Sequence, residues 1–219
     1  MSLIAKTGLA DRIVDILRDR IIAGRFPLHA AIRQEALATE LGVSKIPLRE
    51  AFAKLEQDGL ILSELNRGFF VKPLSIEEAQ DVFDLRLKVE PEAVRAAAGR
   101  VTPADVTLAR AALDALNASA ADHDASAGSL NRAFHMALIQ PGGDRPVTLQ
   151  MVERLQVIAE RYVVRHLEPL GRAERAIDEH EALFDAWSVG RGADAAALSA
   201  AHISRTLDDL NAELQKAAR

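Results

Sequence analysis

The corner Leu41-Gly42-Val43-Ser44 constrains this chain more than any other feature, because it joins two stretches of helical periodicity with no room for a long loop. Gly42 supplies the positive φ that a sharp helix-to-helix corner needs. Ser44 suits the N-cap of the second helix, and Pro47 falls in its first turn, where no intrahelical N–H partner is lost. Leu48, Ala51, Phe52 and Leu55 then recur at helical spacing and are expected to face a core. That leaves Ser44, Lys45 and Arg49 at the exposed N-terminal end. A helix end with free backbone N–H groups beside Lys and Arg suits a phosphate backbone and the base edges of a major groove.

The flanking segments complete a unit around this corner. Leu9 to Ala23 reads as an amphipathic helix with Leu9, Ile13, Ile16, Leu17 and Ile21 as its buried stripe. Arg33 to Leu41 is the short helix before the corner, and Ser44 to Asp58 the helix after it. Leu60 to Glu64 and Phe69 to Lys72 read as two short strands joined by Leu65-Asn66-Arg67-Gly68, whose Asn and Gly tolerate tight-turn dihedrals. Three helices and a hairpin make a winged helix-turn-helix. The net charge of −5 is divided unevenly. Residues 1–74 carry 11 Lys/Arg and 9 Asp/Glu, whereas 75–219 carry 16 and 23, so an acidic chain contains a mildly basic part.

Pro73 marks a boundary, and Ser75 is a good N-cap for the next helix. The remainder reads as six helices, at Ile76–Gly99 (disturbed at Pro91), Pro103–Ser119, from about Gly128 to Ile139, Val147–His166, Arg172–Val189 and Ala193–Ala217. A polar, small-residue connection spans Ala120 to Gly128. Short links between such helices predict an antiparallel bundle. The fold class expected is therefore mostly α, with a winged helix-turn-helix domain over 1–74 and an antiparallel helical domain over 75–219. The chain has no cysteine, which excludes disulfides and thiolate metal sites. No apolar run approaches the ~20 residues that span a bilayer, and the N-terminus lacks the order of a signal peptide. A cytoplasmic protein with no membrane partner is expected.

Three histidines in the helical part lie on inward-facing positions. Asn131 and His135 are four apart and share one helix face. His180 has Ile177 and Leu183 on its side of a helix, and His202 has Leu198 and Thr206 on its side of the last one. Three such rings from three helices can converge on one divalent ion, zinc, nickel, manganese or iron, with positions left open. The alternative is three hydrogen-bonded core histidines. Arg86 and Glu90 also fall, four apart, on an apolar stripe. They read either as a buried ion pair or with Arg86 holding the carboxylate of an effector.

The stretch GRFPLHAAIRQEALATELGVSKIPLREAFAKLEQDGLI, with NRGFFV after it, resembles the DNA-binding domain of the GntR superfamily of bacterial transcription regulators. The resemblance implies DNA contacts at Ser44, Lys45, Arg49 and Gly68, with Arg33 and Arg67 near the same surface. Lys45-Ile46 departs from the Arg-Thr of many members, and Lys is a flexible point charge where Arg forks onto guanine. Residues 76–217 resemble the FCD effector domain of the FadR-like branch. His135, His180 and His202 match the three histidines of its metal-binding members, and Asn131 stands where many have Asp. The resemblance assigns DNA binding to 1–74 and effector binding and dimerisation to 75–219, and it implies a homodimer on two-fold operator DNA, with a small carboxylate effector. The function expected is a ligand-responsive transcription regulator, read as a repressor. A three-histidine metalloenzyme is the alternative, but it lacks an obvious general base and leaves Ser44 to Gly68 unexplained.

Overall fold

Two sequence blocks, one of helices with a hairpin and one of helices alone, become two units. The computed structural model describes residues 8–27, 30–122, 127–166 and 173–217. It divides into Met1–Pro73 and Leu74–Arg219.

In the first unit, α1 (Leu9–Ile22), α2 (Gln34–Leu41) and α3 (Lys45–Gln57) precede β1 (Ile61–Glu64) and β2 (Gly68–Val71). Gly42 closes α2 at φ 65°, where its N–H and that of Val43 cap the carbonyls of Thr39 and Ala38. Leu17, Leu48, Ala51, Phe52, Leu55 and Leu60 are fully buried and form the core. The two strands pair antiparallel, with Ile61 opposite Val71 and Glu64 opposite Gly68. Asn66 at φ 60° and Gly68 at φ 96° turn the hairpin between them. Two links lock this wing to the helices: the Phe52 and Phe69 rings lie 4.9 Å apart, and Glu56 Oε1 accepts from Ser63 N at 2.9 Å.

The second unit contains α4 (Ile76–Ala98), α5 (Pro103–Asp122), α6 (Ala127–Ile139), a 3-10 turn (Gln140–Gly142), α7 (Pro146–His166), α8 (Ala173–Ser188) and α9 (Gly192–Ala217). The central helix α4 packs most extensively against α9 and α7. Two apolar clusters fill the bundle. One joins Val82 and Phe83 of α4, Tyr162 of α7 and Ile203 to Leu214 of α9. The other joins Val94, Leu113, Phe134, Leu138, Leu183 and Trp187. Between them in sequence on α4 and α9 lie buried polar residues, Arg86 and Glu90 on the first and His202 on the second, and Gln156 of α7 is buried as well. A polar layer thus interrupts an otherwise apolar bundle.

Four details depart from the sequence expectation. Leu9 and Ile16 are exposed, at 46% and 43%, while Ala10, Val14 and Ile22 join the core of the first unit. The true stripe on α1 runs through 10, 13/14, 17 and 21, which keeps closer to the 3.6-residue period. Pro91 does not divide α4, since the helix runs unbroken through it and forgoes a single ladder hydrogen bond. The connection read at 120–128 is mostly helix, because α5 continues to Asp122 and α6 starts at Ala127; 123–126 lie outside the described residues. Alanine-rich sequence favours that extension. Ser44 holds the N-cap backbone position of α3, but its hydroxyl makes no capping hydrogen bond.

Candidate functional site

The polar layer is built by five helices, α4, α6, α7, α8 and α9. His135 on α6, His180 on α8 and His202 on α9 are all buried, and one ring nitrogen from each lies within 4.8 Å of the others. The ring centroids are 5.1 Å (135–180), 5.3 Å (135–202) and 4.6 Å (180–202) apart. Nε2 of His135 and Nε2 of His180 have no hydrogen-bond partner among the described residues. Burying a polar atom without a partner costs about 1–3 kcal/mol. Trp187 Nε1 shares that condition deeper in the apolar cluster, so an orphaned atom alone is no ligand site. What distinguishes the histidines is that they converge on one another.

The electrostatics of His135 and His180 agree with neutral rings. Burial, then the neighbouring His180 and His202, then the Arg86 charge, hold His135 well below the usual histidine range. Burial and His202 push His180 down to about 3, although Glu179 opposes the shift. Neutral imidazoles keep a lone pair, and lone pairs are what a divalent cation takes. The donor set therefore fits a metal. With their ligand atoms within 4.8 Å of one another, the three rings would be the residues to hold one ion. Asn131 lies one turn before His135 on the same side of α6 and is half-buried.

Arg86 is paired with Glu90. Its Nε donates to Glu90 Oε1 at 2.6 Å and Nη2 to Oε2 at 3.3 Å, both residues being under 5% exposed. Gln156 Nε2 adds a bond to Glu90 Oε2 at 2.8 Å, and the guanidinium stands 4.9 Å from the Phe83 ring centre. Of the two sequence readings for Arg86, the buried ion pair is present. Its charge nonetheless reaches His135, so it borders the histidine cluster.

Glu179 escaped the sequence reading as a member of the site. Helical spacing turns it about 100° away from His180, and only the packing of α9 against α8 brings His202 to it. Its Oε2 lies 2.7 Å from His202 Nδ1 and its Oε1 accepts from Arg205 Nη1 at 2.9 Å. Burial raises the Glu179 pKa, but the bonds from His202 and Arg205 outweigh that and bring it to about 2.

Arg33, Lys45, Arg49 and Arg67 of the first unit are exposed instead. Ser44, Lys45 and Arg49 sit at the N-terminal end of α3, and Ile46 beside them is 72% exposed. Lys45 Nζ bonds Glu35 Oε1 of α2 at 2.6 Å. Arg33 is the N-cap of α2. It directly follows Ile32, whose N–H donates to Phe69 O at 2.7 Å, so Arg33 emerges beside the wing. At the wing tip, Arg67 pairs with Glu64 and lies 5.3 Å from the Phe70 ring centre, next to Gly68. The fold thus brings α2, the N-terminus of α3 and the wing together through these links.

Among the described residues no helix is long and apolar enough to cross a membrane. Two family models match: "Bacterial regulatory proteins, gntR family" over residues 9–71 and "FCD domain" over 81–205. The HTH-type transcriptional repressor GlaR of Escherichia coli (strain K12) is 32% identical over 155 residues, 67% of this chain and 68% of that protein. The galactonate operon transcriptional repressor of the same organism is 28% identical over 197 residues, covering 80% and 85%. The structure of E. coli McbR/YncC superposes with a TM-score of 0.81 over 94% of this chain and 99% of that one, at 21% identity, which speaks for the fold alone. A winged helix with an exposed recognition-helix end, joined to a bundle of this kind and matched along most of its length, identifies the chain as a member of the gntR family of bacterial regulatory proteins with an FCD domain, a transcription regulator and not an enzyme.

Proposed function

We propose that this regulator is a ligand-responsive repressor whose helical domain holds a divalent metal ion and senses a small carboxylate. The observation that carries the reading is the buried, convergent trio His135, His180 and His202, two of whose Nε2 atoms have no partner among the described residues. Asn131 would stand by as a fourth, neutral donor, weaker than a carboxylate. When bound, the ion, whether zinc, nickel, manganese or iron, supplies a Lewis-acidic centre with room for an anionic ligand. Arg86, bordering the trio, supplies positive charge on the same side, and a carboxylate could share its guanidinium with Glu90. Galactonate, for which one relative's operon is named, is a sugar acid and agrees with that class.

DNA binding is assigned to residues 1–74 and effector binding and dimerisation to 75–219. Arg33, Ser44, Lys45, Arg49, Arg67 and Gly68 would meet the operator. The free Ser44 hydroxyl, the backbone N–H groups of the α3 N-terminus and Arg33 suit phosphates, while Lys45 and Arg49 enter the major groove. A homodimer would read a two-fold site, and ligand binding would shift the population of protomer arrangements that fit it. The test is titration of operator DNA with candidate acids, with and without a chelator. Acid-dependent release that chelation abolishes is expected. Absence of DNA binding even at low salt would end the reading.

A further inference from the structure

Three histidines converge, yet their outer nitrogens are treated differently. Among the described residues, His202 is the one whose ring is bonded by a carboxylate, Glu179, at 2.7 Å on Nδ1. An ionised carboxylate only accepts, so Nδ1 of His202 carries the proton. Nε2 is then the ring nitrogen left for the face that His135 and His180 share. The same carboxylate is itself held. Arg205 donates to its other oxygen at 2.9 Å from α9, and Arg175, one turn earlier on α8, stands 3.5 Å away and reaches across to Asp209 of α9. Glu179 keeps only 11% of its side chain exposed, as does His202. A carboxylate on the rim of one helix thus fixes the tautomer and ring plane of a histidine on the next.

We propose that Glu179 is the positioning residue of the histidine centre, acting on a bound divalent ion through His202 and not touching the ion itself. This rests on the reading of the trio as a metal site. Outer partners of this kind hold the imidazole in its ligating orientation and raise its basicity, and their loss typically costs about 10–100-fold in metal affinity. A competing account is that Glu179 is one more ion pair pinning α8 to α9. Asp209 separates the two, since its pairing with Arg175 spans the same helices without involving His202.

The experiment uses the full-length protein, stripped of metal and titrated with Zn²⁺ against a chromophoric chelator. Wild type, Glu179→Ala and Asp209→Ala are compared, with thermal unfolding of each metal-free form alongside. Glu179→Ala is expected to bind zinc about 10–100-fold more weakly, whereas Asp209→Ala keeps its affinity within about threefold. Equal affinities for Glu179→Ala and wild type, or equal losses in both variants, would overturn the proposal and leave Glu179 as a helix pin. Should Glu179→Ala fail to fold, the ¹⁵N spectrum of the His202 ring in metal-free wild type decides. An Nδ1–H tautomer supports the proposal and an Nε2–H tautomer overturns it. A wild-type chain that takes up no zinc at all would remove the metal reading itself, and that result is visible before any variant is made.

Discussion

The two units use charge in opposite ways. In the first, Lys45–Glu35 and Arg67–Glu64 lie open to solvent. Such pairs contribute roughly 0–1 kcal/mol each and are screened by salt, so a phosphate can replace the acid at little cost. In the second, Arg86–Glu90 is buried between two apolar clusters, and Nε2 of His135 and of His180 have lost water without gaining a partner among the described residues. Exposed charge is disposed to exchange partners, whereas buried polar groups demand a permanent one. The comparison separates a surface suited to reversible DNA contact from an interior suited to a resident ion.

Breaking the buried pair should have the largest effect. Arg86→Ala leaves Glu90 an uncompensated carboxylate and is expected to destabilise the protein by about 3–5 kcal/mol, measured by urea unfolding. Arg86→Met combined with Glu90→Leu should recover most of that loss while abolishing any carboxylate response. A single variant as stable as wild type would mean that the pair is not buried in solution.

Acid has the second-largest effect. His180 titrates near 3 in the folded protein against the ordinary 6.5, so the unfolded chain binds its proton first as pH falls. Stability of the metal-free protein is therefore full above about pH 6.5 and is lost progressively between there and pH 3. At pH 5 the loss from His180 alone is roughly 2 kcal/mol, and His135 acts in the same direction. Chemical denaturation at pH 7.5 and pH 5 checks it, and His180→Phe should flatten the slope.

The exposed face gives smaller effects, confined to binding. Lys45→Ala is expected to cost about 1 kcal/mol of preference for operator over random duplex, read by competition at fixed salt. Equal losses on both duplexes would reduce Lys45 to a phosphate contact. Glu35→Ala should be smallest, changing unfolding stability by no more than about 0.5 kcal/mol, because it removes one partner of a solvated pair.

The elements of the first unit were legible because each has a local cause: Gly42 at the corner, Pro47 in the first turn, Asn66 and Gly68 at the wing. The inward turn of His135, His180 and His202 was equally readable, from neighbours three and four residues away. Properties set by packing were not. Leu9 and Ile16 belong to the apolar pattern of α1 but fall outside the face that α3 covers. Glu179 looks like a solvated flank of His180 until α9 is laid against α8. Pro91 illustrates a third case, in which a local rule predicting disturbance is overridden by the packing of α4 along both apolar clusters.

Metal content is the most direct test of the buried half of this comparison. Full-length protein, purified without chelator and analysed by elemental mass spectrometry, should carry about one divalent ion per chain. His180→Ala should carry almost none, and adding the ion to stripped wild type should raise the unfolding temperature. A wild-type chain that folds without metal, takes up none on titration and unfolds at an unchanged temperature would contradict it.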